Sequence, residues 1–175
     1  DVKIIQDHME EFLREIEKIR IAEFPQCWKY KQDRHAASCY LSFFSPEQHF
    51  IYRYSEAVEF AKYIEFGKDI GSGENFRLDY YYEMATMVAE ELKHHESLLS
   101  LYHTLISDVN TYYQDDSLHL MAFDLMYCSR SYNLFSGLEH ASKKESLKAF
   151  SLQQLRVEDE KARVDAISAL EDEIR

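Results

Sequence analysis

The densest run of ionisable side chains is Glu90-Glu91-Leu92-Lys93-His94-His95-Glu96. Within it, Glu91 and His94 have the three-residue spacing by which helical di-iron proteins present two ligands on one face. That architecture needs a second Glu-x-x-His and single carboxylates from two other helices, and the chain holds no second copy of the motif. A hemerythrin-like site needs His and a carboxylate four residues on. His94 and His95 meet Leu98 and Leu99 there, and Asp7-His8 is no better placed. Cys27, His35, Cys39 and His49 are the right ligand types for tetrahedral zinc, but their spacing matches no standard finger. Glu91, His94 and His95, with Cys27, His35, Cys39 and His49, are therefore the metal candidates. A buried thiol and hydrogen-bonded histidines are the simpler account of the same residues.

Other chemistries fail on their own requirements. Gly71-Ser72-Gly73 lacks the Gly-Lys-Ser/Thr and the preceding strand of a phosphate-binding loop. No Gly-x-Ser-x-Gly marks a nucleophile elbow. Helical ribonucleases of bacterial defence place His four to six residues after Arg, whereas Arg130 and His140 are ten apart. No catalytic residue and no cofactor is expected.

Composition describes what must position these groups. Four Gly and two Pro in 175 residues are too few for the turns of an all-β fold. Thirteen Tyr and eleven Phe against one Trp make an aromatic core, whose hydroxyls need internal partners. The net charge of −12 opposes nucleic acid, whose affinity rests on neutralising phosphates, and opposes anionic membranes. Lys29, Lys31 and Arg34 are the one compact basic cluster. Three cysteines without a Cys-x-x-Cys suit free thiols in a reducing, cytoplasmic setting. No apolar run approaches 18 residues, and the first residues are too polar for a signal sequence.

Periodicity predicts an all-α fold: an irregular bundle of about five helices in a single domain, 1–175, with room for one very short strand at 49–54. Ile5, Met9, Phe12, Ile16 and Ile19 form the inner stripe of a helix over 2–23, stopped by Pro25. The apolar stretch 36–44 suits a short helix or an extended core piece. Ser45-Pro46-Glu47 makes a turn. Ser55 caps a helix to 66 with Val58, Ala61 and Ile64 or Tyr63 inward, and 68–75 is a flexible loop. One long helix opens at Asn75 or Asp79 and keeps a stripe from Leu78 through Leu92, His95 and Leu99 to Val109, with room for a kink. A further helix follows over 117–135. Ser142-Lys143-Lys144-Glu145 reads as a capping box, and the last helix, about 143–174, is long enough to project.

Two segments resemble a known family. Tyr40-Leu41-Ser42-Phe43-Phe44-Ser45-Pro46-Glu47-Gln48-His49-Phe50-Ile51-Tyr52-Arg53-Tyr54, with Phe60-Ala61-Lys62, is similar to accessory regions of bacterial AAA-type restriction NTPases of the McrB kind. Asp116-Ser117-Leu118-His119-Leu120-Met121-Ala122-Phe123-Asp124-Leu125-Met126-Tyr127 resembles a second such segment. The resemblance implies an accessory domain that recognises a target or partner for the motor, without the motor's own nucleotide site. The expected function is a non-catalytic helical interaction module of a defence or regulatory protein, taking a protein partner, a neighbouring domain or a second copy. The alternative is a metal-binding helical protein.

Overall fold

A computed structural model describes residues 1–107 and 113–135. Six α-helices are found among them: α1 (Val2–Glu23), α2 (Arg34–Phe44), α3 (Tyr54–Tyr63), α4 (Leu78–Leu92), α5 (Glu96–Ser107) and α6 (His119–Ser131). The fold is all-α. Residues Asp1–Leu134 form one compact unit. The capping box at Ser142 and the helix expected at 143–174 lie outside the described residues.

Helix α4 is the centre of this unit. Leu78, Tyr81, Tyr82, Met84, Ala85, Val88, Ala89 and Leu92 are all buried, following the predicted stripe. Each large apolar side chain so placed contributes roughly 1.5–3 kcal/mol. Helix α6 packs on both α3 and α4, and α1 packs on both α2 and α4. The start of α4 is held from α1, because the Gln6 amide donates to Phe76 O and accepts from Leu78 N, each at 2.8 Å. That contact supplies the cap which Arg77, just before the helix, does not.

The bounds of α1 are those the sequence predicts, but its inner stripe is not. Met9 is its one buried residue, while Phe12 and Ile19 are exposed. The stretch over 36–44 is a helix, with Asp33 capping it through Ala36 N at 2.9 Å.

The short strand allowed at 49–54 does not form. Residues 49–53 belong to no helix, and no strand occurs among the described residues. Side chains replace a sheet partner: Ser38 Oγ accepts from Tyr52 N at 2.8 Å, and His35 Nδ1–H donates to Tyr52 O at 2.9 Å. Tyr81 OH donates to Ile51 O. Phe50 and Tyr52 thereby enter the core, where Tyr52 meets Phe76 and Tyr81 at ring separations of 4.6 and 4.9 Å.

Helix α3 starts one residue before Ser55, which caps nothing, and ends at Tyr63 rather than 66. Its inner face is Glu56, Ala57 and Phe60, not Val58, Ala61 and Ile64 or Tyr63. The buried Glu56 has rotated the face, because its carboxylate is neutralised from α6. Arg130 Nη1 lies 3.2 Å from Oε1, and Arg53 Nε lies 3.5 Å from Oε2.

The long helix from 75 to 109 is two helices. Lys93, His94 and His95 interrupt it, so α5 starts afresh at Glu96. Leu99 and Tyr102 are only half-buried and Leu105 is exposed, so the stripe weakens beyond the break. Helix α6 begins at His119, not Ser117, because the buried Asp115 carboxylate accepts from His119 N at 3.1 Å and Met121 N at 2.9 Å. It ends at Ser131, before 135. In the loop over 68–75, Gly71 has φ +70° and a Cβ there would sit 2.0 Å from Asn75 O, so that turn demands glycine.

Candidate interaction groove

The α1–α2 pair leaves a groove of about 500 Å³ open to solvent. Ile5, Met9 and Phe12 form one wall, and Ala37, Tyr40, Leu41 and Phe44 the other. Both sets recur at helical spacing, so each helix offers one apolar edge to the gap. Phe12 and Tyr40 close one stretch with an edge-to-face ring contact at 6.1 Å. Tyr40 OH is steadied by Gln32 Oε1 at 2.7 Å. Phe44 is 89% exposed and Phe43 77%. Isolated apolar residues on a surface are ordinary, but a contiguous concave set is the mark of a binding surface.

His8 and His49 are the polar side chains of the lining. His49 Nδ1 lies 3.1 Å from Tyr82 OH, which ties the groove floor to the central helix. Burial holds the His49 imidazole below its ordinary value, with Glu47 opposing and His119 assisting. His119 Nδ1–H donates to Pro46 O at 2.9 Å, and its ring stacks on Phe50 at 3.8 Å. The turn after α2 is thus anchored from α6, and this fixes where the α2 wall ends.

The residues singled out for metal chemistry are dispersed. Glu91 meets His95, not His94, at 3.8 Å, and both stand at the α4–α5 break. His94 is exposed. Cys39 Sγ lies 3.8 Å from His35 Nδ1, which Tyr52 O already engages. His49 turns to Tyr82, and Cys27 follows the end of α1. Burial pushes the Cys39 thiol up, toward the inert form. Among the described residues, no three His, Cys, Asp or Glu converge as a metal site.

The basic cluster is likewise engaged. Arg34 bridges to Glu10 at 2.5 Å and lies over the Phe76 ring at 4.8 Å, and Lys29 lies over Trp28. A second cavity of about 520 Å³, beside Arg34, His35, Arg53 and Gly73, has both its guanidiniums facing carboxylates.

No family model, curated protein or solved structure matches the chain.

Sequence reasoning missed the groove because it turned Phe12 inward and left 36–44 open between a short helix and an extended core piece. One signal pointed to it. Helix α2 is apolar on nearly every side, with Ala36, Ala37, Cys39, Tyr40, Leu41, Phe43 and Phe44. A short helix at the edge of a small unit can bury only one such side.

Proposed function

We propose that this chain is a non-catalytic helical interaction module that docks a protein partner in the α1–α2 groove. The exposed apolar groove is the observation that carries the reading. Aromatic side chains held on a rigid pair of helices lose little entropy on docking, which is why they dominate binding hot spots. The segment that resembles McrB-type accessory regions supplies Tyr40, Leu41, Phe44 and His49 to the groove. An accessory domain of a defence or regulatory protein, working in the cytoplasm, fits that resemblance. The net charge of −12 supports a protein partner over nucleic acid.

A photo-reactive benzophenone amino acid at position 40, compared with the exposed position 62 of α3, tests this. Crosslinking in cells should give a discrete product from position 40 only, and Phe44→Asp should abolish it. Equal products from both positions, or indifference to Phe44→Asp, would overturn the reading.

A further inference from the structure

We infer that the occupant of the groove is an amphipathic helix whose apolar stripe is edged by Lys or Arg; the inference rests on the docking reading above. The length of the groove suits a helix. The α1 wall runs from position 5 to 12 and the α2 wall from 37 to 44. Seven residues of α-helix rise about 10 Å, so the groove is two turns long on either side. A third helix laid in it presents residues i, i+3 or i+4, and i+7 over that same length.

The charge flanking the groove suits a basic edge. At 3.6 residues per turn, Glu11, Glu15 and Lys18 all fall beside the His8–Phe12 edge of α1, whereas Lys3 and Arg14 fall near the opposite side. Glu47 stands at the end of the α2 wall, in the turn between Phe44 and His49. Glu15 is bridged to Lys18 at 2.6 Å, while Glu11 and Glu47 form no ion pair among the described residues. With Glu15 neutralised by Lys18, Glu11 and Glu47 leave the flank of the apolar groove net acidic, and a basic edge on the ligand complements them.

The same flank disfavours a second copy. Pairing two of these faces would set Glu11 and Glu47 of one chain against those of the other, on molecules each carrying −12.

The test uses the full chain and three fluorescein-labelled synthetic 18-residue peptides. One has a Leu stripe edged by Lys, one has the same stripe edged by Glu, and one is the Lys peptide with its stripe scrambled. By fluorescence anisotropy at pH 7.5, the Lys-edged peptide should bind about tenfold or more tighter than either control. Phe44→Asp should weaken it by a similar factor, with the helical circular dichroism retained. The double variant Glu11→Lys/Glu47→Lys should narrow the gap between Lys-edged and Glu-edged peptides while leaving both able to bind.

Equal binding of the two striped peptides would overturn the basic partner and leave the docking groove standing. Equal binding of the scrambled peptide would reduce the effect to non-specific charge. Indifference to Phe44→Asp would sink the groove itself. A dimer in light scattering that Phe44→Asp dissociates would assign the groove to a second copy instead.

Discussion

Arg130 on α6 holds the buried carboxylate of Glu56 on α3, with Nη1 3.2 Å from Oε1, and its Nε reaches Glu59 at 3.0 Å. A carboxylate with 2% side-chain exposure would be costly without that guanidinium. The pair therefore fastens α3 to α6 and determines which face of α3 turns inward. Arg130 is itself partly exposed, and Arg53 remains near the other oxygen. Arg130→Ala should consequently cost roughly 1.5–3 kcal/mol in urea unfolding, the range for a charged hydrogen bond. Glu56→Leu combined with Arg130→Ala should recover part of the loss, because no buried charge is then left alone. A double variant worse than the sum of the singles would contradict this account.

The break at 93–95 separates two leucines that lie on one sequence stripe. Leu92 is buried and Leu99 only half-buried. Leu92→Asp should destabilise by about 3–5 kcal/mol or prevent folding, and Leu99→Asp should cost less than about 2 kcal/mol. Equal losses in chemical denaturation would mean that α5 is as deeply packed as α4.

Acid should weaken the unit through His49 and His119. Burial is the leading cause that holds both imidazoles below their ordinary value of 6.5. The folded state then binds fewer protons than the unfolded state near that pH, so stability rises with pH. Their contribution is complete at pH 7.5 and is lost as pH falls through 6.5 toward the folded-state values. Asp124, raised from its ordinary 3.8 mainly by burial, acts in the opposite direction above that pH. The double variant His49→Gln/His119→Gln separates the two. Its melting temperature should change less between pH 7.5 and 5.5 than that of the parent chain, and equal slopes would refute the assignment.

At high pH the buried tyrosines should ionise late. Burial pushes Tyr52, Tyr82 and Tyr102 up to about 12, and Tyr81 further still. Phenols kept neutral by the fold stabilise it fully below their ordinary 10.0, and that stability is lost as pH rises through 10 toward 12. A 295 nm titration should show a separate late phase near pH 12 that coincides with unfolding. Tyr52→Phe should shrink that phase, and ionisation of every ring in one early step would disprove it.

The sequence by itself determined the elements whose cause is local. Proline stops a helix wherever the rest of the chain lies, so α1 ends before Pro25 as the residues dictate. A stripe with six apolar positions in about four turns has one side to bury, so the α4 face from Leu78 to Leu92 was legible. Scarce glycine and proline excluded a sheet-based fold. The tertiary structure alone decided what depends on a distant partner. The alternating residues at 49–54 look like a strand, but Ser38, His35 and Tyr81 satisfy that backbone from helices. Helix α3 turns Glu56 inward because Arg130 waits more than seventy residues away, and α6 starts where a buried Asp115 takes its first amides. The groove is the clearest case. Periodicity puts Phe12 on a helix face, and the apolar stretch 36–44 leaves Phe44 on either a short helix or an extended piece. Neither says which apolar faces a small unit has room to bury, because burial is a property of the pair of elements that meet.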